Sequence, residues 1–377
     1  MRVLHFVPLF WPNLGGIETL LMNSLPILKQ NGYEFIILTS TNRHSPDPID
    51  NYKGIPIYRY PIISTIRNHN IGMQIRILRN MIKLKQEFKP DLVHFHFGGY
   101  PLSYFHLRTK NAYKAPTLVT LHASIIGIPT AENTTTGELL NGAAWVTAVS
   151  DSMAEDAIKT RPDLKRKLSR IYNGVTAPQF TPSPPASPAR LLAYGRMVRE
   201  KGFDLLIDAF GEIIKHHPET RLTLAGDGPA RCDLERLTAH HGLKKEIEFT
   251  GWIEHNKIFE LVDKSTAVII PSRWREPFGL VAVEAALMKR PVVAAKTAGL
   301  AEVVKDEITG LLFDNNNSKE LARAILRLLS DPNLTIRLGQ NGCEFAQRNF
   351  SMKNFIENYD HLYQNIVNRK AHEKTSH

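Results

Sequence analysis

Two glutamates, Glu276 and Glu284, carry the densest chemistry in this 377-residue chain. Glu276 stands in a loop after the apolar run Ala267 to Ile270 and the turn residues Pro271 and Ser272. Pro277 is placed to open a helix, and Glu284 falls about two turns inside it, among Val281, Ala282, Val283, Ala285, Ala286 and Leu287. A helix this apolar is expected to be buried, and a carboxylate inside it needs a partner, because an unpaired buried charge is costly. Between the two carboxylates lie the amides of Phe278, Gly279 and Leu280, at the positive end of the expected helix, where a phosphate can bind. Carboxylate, anion site, carboxylate matches the order of groups in a nucleotide diphospho-sugar: sugar hydroxyls, diphosphate, ribose hydroxyls.

The elements around this stretch alternate between strand and helix. Arg2 to Val7 reads as a buried strand, Pro8 to Gly16 as a loop, and Ile17 to Gln30 as a helix with Leu20, Leu21, Ser24, Leu25 and Leu28 toward the core. Gly15-Gly16 therefore falls at a strand-to-helix turn, where glycine lets the backbone approach a phosphate; an ordinary turn fits the same residues. Further strands are expected at 33–40, 55–60, 91–95, 117–121, 144–149 and 168–172, with Ser150 capping a helix. His122 ends the strand 117–121, at the carboxyl edge where a parallel sheet binds its ligand. His94, His96 and His106 raise a metal reading, but their spacing offers no third ligand on the face that His94 and His96 share, so no metal is expected.

Prolines 178, 182, 184, 185 and 188 mark a stiff linker. A second series of strands then begins: 191–194, 221–225, 247–250, 267–270 and 291–295, with helices at 203–215 and from Ser318 and Thr335, and a last helix over 354–370. Arg196 and Lys201 bracket the loop after its first strand, two cations suited to a diphosphate. Gly226-Asp227-Gly228-Pro229 approaches a dinucleotide fingerprint, but Pro229 removes an amide and the third glycine is absent.

Composition is that of an ordinary soluble protein, with 43% hydrophobic and 22% charged residues. Two cysteines, Cys232 and Cys343, form no zinc or disulfide pattern and suggest a reducing compartment; neither a signal peptide nor a membrane span is expected. The net charge of +10 is uneven: residues 1–178 hold 20 Lys and Arg against 12 Asp and Glu. The helix expected within 67–89 places Arg76, Arg79 and Lys83 on one face beside Ile75, Leu78 and Ile82, a profile shared by helices that lie on anionic membranes and by ordinary solvated faces. Interleaved aromatics are missing there, so nucleic acid is not an expected partner.

Glu276 and Glu284 form a Glu-x7-Glu motif, and with Pro271-Ser272 and Glu276-Pro277-Phe278-Gly279 the stretch resembles retaining glycosyltransferases of family 4. The resemblance extends to Gly15-Gly16, His122-Ala123, Asn173-Gly174-Val175, Gly195-Arg196 with Lys201-Gly202, Ala225-Gly226-Asp227-Gly228-Pro229, Gly251-Trp252-Ile253, and Gly299, Glu302 and Gly310. It spans most of the chain, with its most specific motifs in the second half. Ala298, where a second glycine is usual, and the three residues between Ser272 and Glu276 depart from the pattern at the sugar end of the expected pocket.

The resemblance implies the GT-B fold, an α/β architecture of two Rossmann-like doubly wound domains facing a cleft. The expected divisions are an acceptor-side domain 1–178, a linker 179–189, a nucleotide-sugar domain 190–352, and a helix 353–377 crossing back to the first domain. It implies transfer of a hexosyl or HexNAc unit from a UDP- or GDP-sugar to a hydroxyl acceptor, with retention and without metal or other cofactor. Under it Gly16, Arg196, Lys201, Phe278, Gly279 and Leu280 meet the diphosphate, Gly226 lines the donor site, and Ile253 meets the base. Glu284 takes the ribose, while Glu276 and His122 take the sugar. A lipid-linked or oligosaccharide acceptor in envelope glycan assembly, and a cytoplasmic protein peripheral to the inner membrane face, complete the expectation. A non-catalytic sugar-nucleotide-binding protein and an NAD(P)-dependent oxidoreductase are the alternatives.

Overall fold

The computed structural model describes residues 1–13, 15–41, 49–98 and 100–375; Leu14, in the loop read at 8–16, and residues 376–377, at the end of the expected last helix, lie outside them. The chain divides into two compact units, Met1–Gly174 with Met352–His377, and Val175–Ser351.

In the first unit eight strands form one sheet. Their spatial order is Ile49–Tyr52, Ile55–Tyr60, Glu34–Ser40, Arg2–Val7, Leu92–Phe97, Thr117–Leu121, Trp145–Ala148 and Leu168–Arg170. All neighbours run parallel except the edge strand Ile49–Tyr52, which pairs antiparallel with Ile55–Tyr60. Side chains alternate across the sheet, as the period of two requires. Leu4, Phe6, Val93, Phe95, Val119 and Leu121 pack with Ile77, Met81 and Leu84 of the helix Ile71–Phe88. Val3, Val7, Leu92 and Leu118 point the other way, toward the helices Gly16–Gln30 and Met352–Thr375. His5, His94, His96 and Thr120 alternate in step with this second set and are buried on it.

The second unit holds six parallel strands in the order Ile247–Gly251, Arg221–Ala225, Arg190–Tyr194, Ala267–Ile270, Val292–Ala295 and Gly310–Phe313. Numbered within the unit, this is 3-2-1-4-5-6, the strand order of dinucleotide-binding sheets. The order reverses between Arg190–Tyr194 and Ala267–Ile270. Loops leaving the carboxyl ends of those two strands diverge and open a crevice, so the topology alone marks the loops after Tyr194 and Ile270. In the first unit the corresponding reversal lies between Arg2–Val7 and Leu92–Phe97.

Three sequence expectations shift. The helix read from Pro277 begins at Leu280, because Gly279 has φ +106°, outside the helical region, and Glu284 is therefore only just over one turn inside it. The helix read from Thr335 begins at Pro332, with Asp331 capping it through the Leu334 amide at 3.0 Å. The proline segment read as a spacer is held along the second unit. The Ser183 amide donates to Asp263 Oδ1 at 2.8 Å, and Thr266 Oγ1 donates to the Ala186 carbonyl at 2.8 Å.

Arg290 completes that attachment from a fully buried position. It donates to the carbonyls of Met288, Ser183 and Asp263 at 3.0, 2.8 and 2.7 Å, and pairs with Asp263 Oδ1 at 3.1 Å. Removing one partner of a buried pair strands the other. Arg290→Ala is expected to lower stability by about 3 kcal/mol in urea unfolding, and a change within about 0.5 kcal/mol would contradict the role given to Arg290.

Candidate functional site

The second unit's candidate site lies where its topology points. The Gly202 backbone, at φ +68°, caps the helix Phe203–His216, and a Cβ there would stand 2.0 Å from the Pro271 carbonyl oxygen. Only glycine permits both the left-handed turn and that approach. The two loops are stapled further by amides of Arg273 and Trp274 donating to the Glu200 carbonyl at 2.8 and 3.1 Å, and by Arg273 forking onto Asp204 at 2.5 and 2.9 Å. Lys201 is thereby carried to Glu276: its Nζ donates to Glu276 Oε1 at 2.5 Å, and Ser272 Oγ donates to the same oxygen at 2.7 Å. Lys201 and Glu276, assigned from sequence to different parts of a ligand, form an ion pair. Arg196 is exposed, and its guanidinium has no ion pair or hydrogen bond among the described residues.

Glu284 is buried, and Tyr194 Oη donates to its Oε2 at 2.6 Å. Burial pushes the Glu284 carboxyl up to about 7, with the tyrosine hydrogen bond opposing the shift. Tyr194 ends the otherwise apolar run Leu191-Leu192-Ala193, and that polar tip was the signal for a partner of Glu284 that the sequence reading passed over. The amides of Gly279 and Leu280 donate no hydrogen bond among the described residues, which leaves two donors at the start of the helix Leu280–Leu287. Phe278 is buried edge-to-face against Phe350, with ring centroids 5.3 Å apart. The Gly299 amide donates to the Glu276 carbonyl at 2.9 Å, and Ala298 beside it adopts φ +28°, in the region where a glycine is the easier residue.

Gly226 and Gly228 have a packing reason. Cβ atoms there would stand 1.9 Å from the Gly195 oxygen and 2.4 Å from the Met197 oxygen. Their loop follows the second strand of the 3-2-1-4-5-6 order, whereas a dinucleotide fingerprint follows the first, which weighs against the oxidoreductase alternative. Ile253 lies half-buried just beyond Ile247–Gly251.

In the first unit Gly16 is exposed at the first position of Gly16–Gln30, and its amide donates no hydrogen bond among the described residues. His122 follows Thr117–Leu121, with Nε2 2.9 Å from His96 Nδ1; His96 Nε2 is in turn 3.0 Å from His5 Nδ1. Burial holds His5 down at about 3 and His122 at about 4, and keeps His94 and His96 well below the ordinary imidazole range. The histidine trio raised from sequence is divided: His106 packs on the opposite side of the sheet against Phe6 and Phe95, and His5 takes its place. Ring nitrogens of His5, His94 and His96 lie within 4.8 Å of one another. His94 spends Nδ1 on Tyr363 Oη at 2.6 Å and Nε2 on Thr120 Oγ1 at 2.7 Å, however, so both of its ring nitrogens are already engaged.

Glu284 gives a pH signature. Its folded value lies above its ordinary 4.5, so between those limits the folded chain holds a proton that the unfolded chain has released. The associated stability is complete below pH 4.5 and is lost as pH rises through about 7. Glu284→Gln, which stays neutral, is expected to match the parent near pH 4.5 and to exceed it by about 3 kcal/mol above pH 7, read by urea unfolding against pH.

Residues 14–179 match the family described as Glycosyltransferase Family 4, and residues 179–345 match Glycosyl transferases group 1. An uncharacterised glycosyltransferase of Methanocaldococcus jannaschii is 29% identical over 361 residues, covering 95% of this chain and 97% of that one. Sucrose-phosphate synthase from Thermosynechococcus elongatus superposes with a TM-score of 0.83 at 21% identity, over 98% and 99% of the two chains. The Anabaena protein HepE in complex with UDP-glucose does so at 0.79 and 20%, over 97% and 100%. These structures share the GT-B fold of two Rossmann-like domains. With the two family matches together running from residue 14 to 345 and the M. jannaschii relative aligned along nearly its whole length, the chain belongs to the group 1 and family 4 glycosyltransferases.

Proposed function

We propose that this glycosyltransferase moves a hexosyl or HexNAc unit from a UDP- or GDP-sugar to a hydroxyl acceptor with retention at the anomeric carbon and without a metal. The observation that carries the donor reading is the joining of Lys201 to Glu276 at the strand-order reversal, beside the unpaired Arg196 and the free amides of Gly279 and Leu280. In this reading Arg196 and the two amides receive the diphosphate, and Lys201 shifts from Glu276 toward it as negative charge grows on the leaving group. Glu276, relieved of its cation and still held by Ser272, takes sugar hydroxyls. Glu284, oriented by Tyr194, takes the ribose. Gly226 shapes the donor site through loop packing, and the backbone at Ile253 meets the base. Gly16 and His122 keep the roles the resemblance gives them, an amide toward phosphate and a contact to the sugar.

Retention follows from front-face attack, with the leaving phosphate taking the acceptor proton. Cations and helix-start amides then carry the charge that a metal carries in other transferases. The UDP-glucose bound by the Anabaena protein supports a uridine donor. A thermal-shift panel of UDP, GDP, ADP and NAD, each with EDTA and with magnesium, tests the reading. One nucleoside diphosphate is expected to raise the melting temperature regardless of magnesium, and Glu284→Ala to abolish the rise. Arg196→Ala is expected to lower transfer by about a hundredfold. A shift with NAD alone, or activity lost in EDTA and restored by magnesium, would overturn the corresponding part.

For the acceptor, we propose a lipid-linked or oligosaccharide substrate met at an anionic membrane surface on the cytoplasmic side, in envelope glycan assembly. No helix among the described residues is long and apolar enough to cross a membrane. Arg76, Arg79 and Lys83 are exposed along Ile71–Phe88, and Ile71 and Ile75 on the same helix are 69% and 45% exposed. Cations beside bare isoleucines suit a helix lying on anionic headgroups. Arg76→Glu/Arg79→Glu/Lys83→Glu is expected to weaken binding to phosphatidylglycerol vesicles at least about a hundredfold. Unchanged binding would remove the membrane from the proposal.

A further inference from the structure

The first unit's histidines form a connected line whose inner members have no part in the roles above. His5 Nδ1 meets His96 Nε2 at 3.0 Å, and His96 Nδ1 meets His122 Nε2 at 2.9 Å. At the inner end His5 Nε2 is buried with no hydrogen-bond partner. At the outer end His122 Nδ1 has no hydrogen-bond partner among the described residues, and the residue is only partly buried.

A neutral imidazole has one N–H and one lone pair. Two hydrogen bonds in series then admit only two proton arrangements. In one, all three rings carry the proton on Nε2; this buries an orphan N–H at His5 and shows a lone pair at His122 Nδ1. In the other, all three carry it on Nδ1; this leaves a bare lone pair at His5 Nε2 and shows an N–H at His122. Any mixture sets two protons or two lone pairs against each other. An imidazolium would relax the restriction, but burial disfavours charge on all three.

The orphan at the inner end decides between them. A buried N–H with no acceptor is the rarer defect in folded proteins. The neighbouring rings of Phe35 and His94, with centroids 5.3 and 5.0 Å from that of His5, offer at most a weak π acceptor. We infer that His5 and His96 are positioning residues that lock His122 in its Nδ1–H tautomer, so that His122 offers a neutral hydrogen-bond donor to an oxygen of the ligand. This is the tautomer opposite to the one free histidine prefers in water. The inference rests on the proposed function only for the identity of the ligand; the tautomer is a property of the protein alone.

Imidazole-¹⁵N-labelled full-length protein, read by long-range ¹H–¹⁵N correlation at pH 7 and assigned with His5→Gln and His122→Asn, tests it. The expected spectrum shows His5, His96 and His122 all neutral and all protonated on Nδ1. A ring of the three protonated on Nε2, or an imidazolium at any of them, would overturn the lock. His96→Asn offers His122 either an oxygen or an NH2 and so releases it: His122 is expected to populate the Nε2–H form, with kcat/KM down about tenfold. A His122 that stays wholly Nδ1–H in that variant would refute the coupling, and if the variant does not fold, the parent spectrum still decides. An Nδ1–H line in a protein that transfers no sugar would sink the donor reading alone; transfer by a protein with an Nε2–H line would sink the lock alone.

Discussion

The backbone of Gly202 lies against the Pro271 carbonyl with no room for a side chain between them. The second unit's candidate site depends on that contact. It brings the loop after the sheet's first strand onto the loop after its fourth, across the point where the strand order reverses. The Arg273–Asp204 fork and the Glu200 carbonyl then fix the register of the two loops. Only with that register does Lys201 reach Glu276. A salt bridge between long side chains is worth little when its ends are free to wander; here both backbones are already held, so forming it costs no further loop ordering.

Much of this could be read from residue order. The β/α alternation, the apolar runs and the turn residues place the strands to within a residue or two, because a strand buried on both faces leaves a continuous apolar run. Two edge strands were missed: Ile49–Tyr52, since Asp50 and Asn51 make it polar and it relies on a neighbour for its pairing, and the four-residue Gly310–Phe313. The helix start at Leu280 was misplaced because Pro277 is a valid first helical residue, and nothing local announces that Gly279 takes a positive φ. Glu276, Glu284, Arg196 and Lys201 were visible as residue types suited to a diphosphate and its sugars. Other partners were not: Tyr194, which meets Glu284, and His5, which meets His96, come from strands far away in sequence, and only the sheet of each unit brings them near.

The first unit buries charge at Arg59, Lys85 and Asp156, but around its histidines the buried polarity differs from that of the second unit. The second buries charge, each group with a named neighbour: Glu276 with Lys201 and Ser272, Glu284 with Tyr194, Arg290 with Asp263 and three carbonyls. The first unit's sheet face buries neutral groups: His94, Thr120, Thr147, Tyr359 and Tyr363 satisfy one another through hydroxyls and ring nitrogens. A neutral network avoids the desolvation cost of ions, and it leaves orientation as the thing its members control.

That network also governs the order in which the chain can be completed. Tyr359 and Tyr363 belong to the helix Met352–Thr375, and Asp360 of the same helix accepts from Tyr33 at 2.6 Å. During synthesis the sheet of Met1–Gly174 emerges first, with its threonines and His94 lacking those hydroxyl partners and one apolar face covered only in part, by the helix Gly16–Gln30. The contiguous stretch Val175–Ser351 follows and can close on itself before the last helix leaves the ribosome. The unit begun first is therefore finished last, and a nascent chain stopped at Ser351 would hold one complete unit and one half-covered apolar sheet face of the kind that chaperones bind.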